Sequence, residues 1–425
     1  MKIIKDREIT PFLKRLEQRA STSVREDDIQ KTVRKIILDV QKNGDRAVRK
    51  YTRKFDSVDL RNLAVSKSEI NLSAKKVDKK FLASLKKAAA RIRKFHELQK
   101  EKSWQFTEDG ITLGQIIRPL NRVGVYVPGG KAFYPSTVLM NVIPAQVAGV
   151  KEIALCVPTP LGKINPHVAA AIKMLGVEEV YRIGGAQAVA AFAYGTETIA
   201  RVDKIAGPGN IYVAVAKKMV FGNVGIDMVA GPSEILIIAD KTAHPAFIAS
   251  DLLSQAEHDE MASSVLITDS LDLVEKVKTE LKKQMGALTR KEIARKSLRK
   301  YGAIIIVKNI HDAVQISDSI APEHLEIMTE KPADYARNIQ NAGAIFLGKW
   351  TPEPLGDYAA GPNHTLPTGG TARFSSPLGV YDFMKRTSLL YATKKGFIQL
   401  SDTVETLADT EGLEAHGNTV RIRKQ

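Results

Sequence analysis

Residues 123–147 read VGVYVPGGKAFYPSTVLMNVIPAQV, and they give the clearest indication of the fold. Its first part, residues 123–127, is a short apolar run of the kind that forms a buried strand. A Pro-Gly-Gly loop follows, and residues 137–147 then predict a helix that leads to another strand over residues 152–157. A strand, a loop and a helix in this order are typical of a parallel α/β unit.

The same alternation of strands and helices continues along the chain in two runs. The first run ends with a strand over residues 234–239, and the second extends from a helix over residues 243–256 to a strand over residues 344–347. Such alternation predicts parallel sheets with helices on their faces. We therefore expect an α/β protein with two incomplete, Rossmann-like doubly wound domains, a helical N-terminal region and an extended helical C-terminal tail.

The predicted boundaries divide the chain into four parts. We expect an N-terminal arm (residues 1–23), a discontinuous first α/β domain (24–127 and 238–380), an inserted second α/β domain (128–237) and a C-terminal tail (381–425). The first domain includes a long irregular segment rich in Gly, Pro and Thr, residues 348–376. Loops of that length in compact domains are usually functional.

The composition limits the class of protein. A chain of 425 residues is too long for one compact core. Cys156 is its only cysteine, so no intrachain disulfide can form, and a reducing, cytoplasmic compartment is expected. No apolar run at the start is long enough for a signal peptide, and no stretch reaches the length of a transmembrane helix. We therefore expect no membrane contact.

The net charge of +16 raises the question of a nucleic-acid partner. The basic residues are spread over helical stretches such as residues 75–102 and 276–299, with acids interleaved in the second. The sequence has no arginine-rich arm and no basic stripe spaced by aromatic residues. Solvated helix faces therefore explain the charge better than a nucleic-acid surface does. The positive field would also attract an anionic substrate or a dinucleotide.

A candidate metal site begins in residues 252–260, LLSQAEHDE. Gln255 and His258 are three residues apart, so a helix places both on one face. An amide oxygen and an imidazole nitrogen can each ligate a divalent metal, provided that further ligands come from elsewhere. Taken alone, this stretch is better explained as a solvated acidic helix end with one surface histidine.

An adjacent carboxylate and imidazole, Glu323 and His324, stand where a loop enters a predicted strand over residues 325–329. Such a pair is well placed for general acid–base catalysis. Successive side chains of a strand point to opposite faces, so both reach one site only if the backbone is irregular there. An edge of a surface strand explains the pair equally well.

The remaining candidate ligands lie far away in sequence. Asp357 and His364 stand in the irregular segment, within GDYAAGPNHTLPTGG, and Glu411 and His416 stand in the tail, within EGLEAH. Together with the helix that carries Gln255, they suggest a metal site assembled from distant segments. Nitrogen and oxygen ligands of this kind favour zinc, with manganese or cobalt as alternatives. The candidate ligands are Gln255, His258, Asp357 and His416.

Residues 207–212, GPGNIY, open a predicted helix but do not form a dinucleotide-binding fingerprint. Tyr212 stands where that fingerprint requires Gly or Ala. Asn210 can present its amide to a ligand, but this loop alone does not predict a nucleotide.

Eight motifs, in this order and spacing, make the chain resemble the histidinol dehydrogenase family over nearly its full length. They are VGVYVPGGKAFYPSTVLMNVIPAQVAGV, YRIGGAQAVAAFAYGT, KIAGPGN, VGIDMVAGPSE, LLSQAEHDE, APEHLE, GDYAAGPNHTLPTGGTARFSSPLGV and EGLEAHGNTVRIR. This family performs the last two oxidations of histidine biosynthesis. The resemblance therefore implies that the protein oxidises L-histidinol to L-histidinal and then to L-histidine, with two NAD and one water.

The resemblance also implies a role for each candidate residue. One zinc per subunit would be held by Gln255, His258, Asp357 and His416. The acid–base pair would be Glu323 and His324. Besides the zinc ligands, the residues at the substrate would be Ser233, His324, His364 and Glu411. The residues that contact NAD would be Tyr126, Gln187 and Asn210.

The resemblance further implies an intertwined homodimer in which the C-terminal tail crosses to the neighbouring subunit. Glu411 and His416 would then complete the partner's site, which explains why a tail carries chemistry. From the residues alone, two alternatives stay open. A zinc hydrolase of a small nitrogenous substrate would use Glu323 and a metal-bound water without a nucleotide, and a nucleic-acid-binding protein would use the positive charge.

Overall fold

The computed structural model describes residues 1–20, 23–129 and 133–425. The described backbone contains two parallel sheets and one antiparallel sheet. The strands are β1 (Lys2–Lys5), β2 (Trp104–Glu108), β3 (Ile111–Pro119), β4 (Arg122–Tyr126), β5 (Glu152–Cys156), β6 (Glu179–Tyr181), β7 (Lys204–Ala206), β8 (Gly225–Ile226), β9 (Glu234–Ala239), β10 (Ser263–Thr268), β11 (Ala303–Ile306), β12 (His324–Met328), β13 (Ala344–Leu347) and β14 (Met384–Ala392). The α-helices are α1 (Ile9–Ala20), α2 (Ser23–Asp56), α3 (Lys67–Ala74), α4 (Lys79–Glu97), α5 (Pro135–Ala148), α6 (Pro166–Leu175), α7 (Gly185–Tyr194), α8 (Ile211–Val220), α9 (Pro245–Ala256), α10 (Leu271–Ala287), α11 (Lys291–Lys300), α12 (Ile310–Ile320), α13 (Pro332–Ala336), α14 (Glu353–Leu355), α15 (Lys394–Thr410) and α16 (Glu414–Lys424).

The first sheet has the strand order β1-β11-β10-β9-β12-β13, and every neighbouring pair is parallel. From β9 the chain winds to β10 and β11 on one side, and it then returns to β12 and β13 on the other side. This is a doubly wound order. β9 and β10 are buried along their whole length, as expected for strands covered by helices on both faces.

The second sheet has the strand order β6-β5-β4-β7-β8 and is also parallel. It is doubly wound from β4 in the same way, so the predicted fold class is confirmed. Its helices α5 and α7 are buried on nearly every side, because small and apolar side chains cover their whole surface. Among the described residues, none of the helices combines the length and the apolar character that crossing a membrane requires.

The sheets divide the chain at different residues from those predicted. β4 is the central strand of the second sheet, although the prediction assigned residues 24–127 to the first domain and began the second at 128. Helices α2 and α4 of that segment pack on the second unit, α2 against α7 and α4 against α5. The apolar face of α2 causes this arrangement, since Val33 and Ile37 share one core with Val189 and Phe192. β9, predicted to lie mostly in the second domain, belongs to the first sheet.

The N-terminal segment is an integral part of the first sheet. β1 pairs in parallel with β11, with Ile4 opposite Ile305. Ile4, Phe12 and Leu16 are buried and share one core with the strands of the first sheet. The structure therefore corrects the expectation of an arm, because burial of these apolar side chains stabilises the docked segment.

A three-stranded antiparallel sheet precedes the helical tail. β2 and β3 form a hairpin that turns at Asp109 and Gly110, and β14 pairs with β3 along its whole length. β14 has no strand signal in the sequence, because its residues lack a buried face that alternates with an exposed one. The large apolar side chains exposed on this sheet and the tail include Trp104, Phe106, Leu390, Tyr391, Leu400, Leu407 and Ile422.

Candidate active site

Opposite ends of the two parallel sheets supply the predicted site residues. In the first sheet, Glu234 and His324 begin the neighbouring strands β9 and β12. In the second sheet, Tyr126 ends β4 and Gly207 follows β7. Ligands of α/β proteins usually bind at the carboxyl ends of strands. The second sheet follows this rule, whereas the acid–base pair of the first sheet lies at the amino ends.

The irregular segment, residues 348–376, connects these two edges. Oγ1 of Thr137, near the start of α5, lies 3.4 Å from Nε2 of His364. At the other edge, the N–H of Gly369 donates to the carboxylate of Glu234 at 3.2 Å. The segment therefore lies between β9 of the first sheet and α5 of the second unit.

Glu234 holds both members of the acid–base pair through its main chain. Its N–H donates to Oε2 of Glu323 at 2.9 Å, and its carbonyl oxygen lies 2.9 Å from Nδ1 of His324. Glu323 precedes β12, so the alternation of a regular strand does not separate the two side chains. Nδ1 of His324 is 3.7 Å from Oε2 of Glu323. The adjacent carboxylate and imidazole therefore share one site, as the acid–base prediction requires.

The buried ring of His324 is held in one orientation. A carbonyl oxygen only accepts, so in the neutral ring Nδ1 carries the proton and Nε2 is left for a ligand. Nε2 lies 3.5 Å from Oδ1 of Asp357 and 3.9 Å from Oε1 of Glu353, and no described residue hydrogen-bonds to it. Burial lowers the pKa of His324, but the charges of Glu323, Asp357 and Glu353 outweigh this effect and raise it to about 10. This surplus of carboxylates would stabilise a cationic ligand.

Glu323 has an environment suited to proton transfer near neutral pH. Burial raises its pKa to about 7, against the charge of His324 and the hydrogen bond from Glu234. A carboxyl group with such a pKa can both release and accept a proton at physiological pH. The pair therefore combines an acid–base carboxyl with an oriented imidazole.

One cluster of histidine and acidic side chains in the described chain is tight enough to hold a metal ion. Ligand atoms of His324, Glu353 and Asp357 lie within 4.8 Å of one another. Only Asp357 belongs to the ligand set implied by the sequence. Glu353 also accepts a hydrogen bond from Oγ of Ser254, at 3.3 Å, which joins the cluster to the end of α9.

The predicted ligands Gln255 and His258 lie at that end of α9. Gln255 is buried, and its Oε1 has no hydrogen-bond partner among the described residues. His258 stands in the turn after the helix, where its N–H donates to the carbonyl oxygen of Gln255 at 3.2 Å. His258 is exposed as a residue, but desolvation of its imidazole by the surrounding protein lowers its pKa. The negative charge of Asp357 opposes this effect. An orphaned buried amide oxygen is a donor that suits a divalent cation.

His364 and Ser233 flank this cluster. Nδ1 of His364 lies 3.0 Å from the carbonyl oxygen of Asp357, so the irregular segment folds back on itself. Burial lowers the pKa of His364, although the charge of Asp357 opposes this effect. Ser233 is half-buried and directly precedes Glu234 at the start of β9. Both predicted substrate residues are therefore near the acid–base pair.

The residues predicted to contact NAD lie at the carboxyl edge of the second sheet. Oη of Tyr126 accepts a hydrogen bond from the N–H of Gly185 at 3.0 Å. Gln187 is buried on α7, and its Oε1 has no hydrogen-bond partner in the described part of the chain. Asn210 caps α8, because its Oδ1 accepts from the N–H groups of Tyr212 and Val213. Because Oδ1 of Asn210 is used in the cap, its side-chain N–H groups are the atoms that can donate to a ligand.

The loop before α8 passes so close to β4 that only glycine fits at its start. Gly207 has a φ of +111°, and a Cβ there would lie 2.1 Å from the carbonyl oxygen of Tyr126. This close approach brings the loop that carries Asn210 beside Tyr126.

Glu411 and His416 are not brought to the cluster within one chain. Both are exposed on the tail formed by α15 and α16. Arg421 of the same tail pairs with Asp409 at 2.6 Å, and the N–H of His416 donates to Leu413 at 2.9 Å. The predicted site is therefore incomplete in a single chain.

Sequence reasoning missed Glu353, Glu234 and Arg19 as members of the site. Glu353 stands four residues before Asp357, a spacing that places two side chains on one helical face and was a usable signal. Arg19 and Glu234 are 215 residues apart and form a buried ion pair. No local pattern in the sequence indicates that pair.

Comparisons with known proteins agree with the resemblance. The family model for histidinol dehydrogenase matches residues 18–424. The histidinol dehydrogenases of Geobacter sulfurreducens and Aquifex aeolicus are 54% and 53% identical to this chain, over 93% and 94% of it and 93% of each relative. The crystal structure of histidinol dehydrogenase from Elizabethkingia anophelis matches with a TM-score of 0.90 and 40% identity, over 93% of this chain and 92% of that chain.

These matches extend over nearly the whole chain, including the segments that carry the acid–base pair and the irregular loop. The sequence identities to curated relatives lie far above the level at which only a fold is shared. The chain therefore belongs to the histidinol dehydrogenase family, the oxidoreductases that oxidise histidinol in histidine biosynthesis.

Proposed function

We propose that the protein catalyses the zinc-dependent, four-electron oxidation of L-histidinol to L-histidine through L-histidinal, with two NAD and one water consumed. The observation that carries this proposal is the anchoring of Glu323 and His324 on the main chain of Glu234, beside Asp357. Two oxidations of one carbon need a base for the alcohol and a group that activates water for the aldehyde. An adjacent imidazole and carboxyl group can provide both.

The metal would be held by Gln255, His258 and Asp357 of one subunit and by His416 of the partner subunit. The unpartnered Oε1 of Gln255 and the surplus of carboxylates support a cation at this place. Nitrogen and oxygen donors of this type suit zinc. When bound, the zinc would hold the imidazole and amino nitrogens of the substrate and so fix the position of the reacting carbon.

His324 would act as the base of the first oxidation. In the metal-loaded site the carboxylates that raise the pKa of His324 would face a cation, so the ring would be neutral. Its Nδ1–H donates to the carbonyl oxygen of Glu234, so Nε2 is the atom that would accept the proton of the substrate hydroxyl. Bound NAD would supply the hydride acceptor in both oxidations. Glu323 would then take a proton from the water that attacks the aldehyde, a role supported by its burial and its pKa near 7. Retention of the aldehyde at this buried site protects a reactive intermediate.

NAD would lie at the carboxyl edge of the second sheet, in contact with Tyr126, Gln187 and Asn210. The unpartnered Oε1 of Gln187 and the free amide N–H groups of Asn210 support this location. Dinucleotides commonly bind at this edge of doubly wound sheets. The contact between Thr137 and His364 joins this edge to the irregular segment, which carries Asp357 beside His324.

The active protein would be a homodimer in which the tails are exchanged. Glu411 and His416 stand on a tail whose exposed side chains include Leu400, Leu407 and Ile422. Leu400 and Leu407 are seven residues apart on α15 and so share one face of the helix, and exposed apolar faces are typical of subunit interfaces. We infer that the tail covers the neighbouring subunit and that Glu411 and His416 of the partner subunit complete its substrate site.

The test of this proposal is the reaction itself. The purified protein, loaded with zinc, should form NADH when it is mixed with NAD and L-histidinol, and the product should be L-histidine. No NADH from a folded, zinc-loaded dimer, together with a failure to bind NAD, would favour the zinc hydrolase alternative.

A further inference from the structure

Arg19, near the end of α1, extends to a fully buried position beside the acid–base pair. Its Nη2 donates to the carboxylate of Glu234, and its Nη1 donates to the carbonyl oxygen of Met261 at 2.7 Å. The guanidinium also lies over the ring of Tyr301, 5.5 Å from the ring centre. Arginine suits this place because its planar group donates in several fixed directions at once.

Glu234 connects this contact to the catalytic groups. One oxygen of its carboxylate faces Arg19, and the other accepts from the N–H of Gly369 in the irregular segment. The main chain of the same residue contacts Oε2 of Glu323 and Nδ1 of His324, each at 2.9 Å. A displacement of Glu234 would therefore move both catalytic side chains and the irregular segment.

Helix α1 can serve as a fixed support for Arg19. β1 pairs with β11, and Phe12 and Leu16 anchor the helix in the core of the first sheet. The second contact of Arg19, with the carbonyl oxygen of Met261, ties the helix to the turn that leads into β10. Burial raises the pKa of Glu234, and Arg19 is the strongest of the groups that oppose this effect.

We propose that Arg19 is a positioning residue, which fixes the carboxylate of Glu234 and thereby the main chain that holds Glu323 and His324. The proposal rests on the proposed function for the roles of the last two residues. Arg19 does not touch the reacting atoms, so its loss slows the chemical steps and leaves the binding of both substrates nearly unchanged.

The first test compares Arg19→Met with Arg15→Met in the full-length enzyme. Arg15 lies one turn earlier on α1, is exposed and contacts the ring of Phe12. We expect Arg19→Met to lower kcat at least about tenfold while the KM values for L-histidinol and NAD stay within about twofold. Arg15→Met should keep the wild-type kcat. Arg19→Lys keeps the charge without the planar fork and should recover part of kcat.

A second comparison separates the rate from the stability. Removal of one partner of a buried ion pair is destabilising, because the other charge is left unpaired. Arg19→Met combined with Glu234→Gln leaves no such charge. We expect the unfolding temperature of this double variant to return close to that of the wild type, while its kcat stays low. Recovery of both quantities would mean a purely structural role and overturn the proposal. If Arg19→Met does not fold, the kcat of Arg19→Lys decides, and a wild-type kcat there overturns the proposal.

A readout without turnover distinguishes this proposal from the proposed function. In protein labelled with ¹⁵N-histidine, the Nδ1–H signal of His324 is assigned by its absence from His324→Gln. We expect this signal to shift or broaden in Arg19→Met and to stay unchanged in Arg15→Met. An unchanged signal in Arg19→Met overturns the positioning role. A changed signal in an enzyme that makes no NADH from L-histidinol overturns the proposed function alone.

Discussion

Nδ1 of His324 lies 2.9 Å from the main-chain carbonyl oxygen of Glu234. This contact sets the ring so that Nε2 faces Asp357 at 3.5 Å. His324 therefore belongs to a cluster of potential metal ligands with Glu353 and Asp357, yet we assign it to proton transfer and not to the metal. The two roles predict different results.

We predict that His324→Gln retains zinc and lowers kcat by roughly 10²–10⁴-fold, because it removes a base and no ligand. His258→Ala should lower zinc affinity as well as activity. Metal content after dialysis, measured beside initial rates of NADH formation, separates the two variants. Loss of zinc from His324→Gln, together with retention in His258→Ala, would assign the metal to the cluster of His324, Glu353 and Asp357.

Glu323→Gln should slow the oxidation of L-histidinal more than that of L-histidinol. Only the aldehyde step needs an activated water, and a glutamine amide cannot accept its proton. The Gln side chain still presents an oxygen to the N–H of Glu234, so the orientation of the residue is preserved. Single-turnover rates with each substrate provide the comparison. An equal decrease in the rates of the two oxidations would show that Glu323 does not act in the aldehyde step alone.

Subunits that carry His324→Ala and subunits that carry His416→Ala should complement each other when they are coexpressed. A mixed dimer contains one site with both changes and one site with neither, because His416 acts in the partner's site. Since one of its two sites is intact, we expect each mixed dimer to have about half of the wild-type activity. The heterodimer is purified through two different tags, and each single variant is the control. An inactive mixed dimer would contradict a site shared between subunits.

The buried acidic pair Asp251 and Glu326 makes the stability of the folded protein depend on pH. Burial, followed by the charge of Asp251, raises the pKa of Glu326 well above its ordinary value. The folded protein therefore keeps a proton that the unfolded chain loses above about pH 4.5, so this group lowers the stability as the pH rises. Glu326→Gln keeps the shape and a hydrogen-bond donor without that proton.

We predict that the unfolding temperature of Glu326→Gln rises relative to that of the wild type as the pH increases from about 5 to about 8. Thermal unfolding of both proteins across this range measures the difference. A difference between the two proteins that does not change with pH would mean that Glu326 is ionised in the folded state.

The fold class was predictable because most strands of the parallel sheets are short apolar runs followed by a helix. The predicted limits of β9 and β13 agree with the structure for this reason. The membership of β4 in the second sheet was not predictable in the same way, because it depends on pairing such as that of Val125 with Ala206. Such pairing leaves no trace in local periodicity, so the domain boundaries were misplaced.

The site was predictable only in part from the residues. Glu323 and His324 are adjacent in sequence, and their shared site follows from a loop that enters a strand. Asp357 and His364 were candidates by their loop, but their distance from His324 is set by the folding of the irregular segment. The family resemblance supplied the roles of these residues. Arg19 was not a candidate, since its partner Glu234 belongs to a strand in the middle of the chain.

The most direct measurement is the yield of NADH from a limiting amount of L-histidinol, with and without a zinc chelator. We predict two NADH for each L-histidinol and complete conversion to L-histidine. Removal of the metal should abolish this yield, and added zinc should restore it. One NADH with release of the aldehyde, or an undiminished yield after verified loss of the metal, would contradict a zinc-dependent oxidation in two steps at one site.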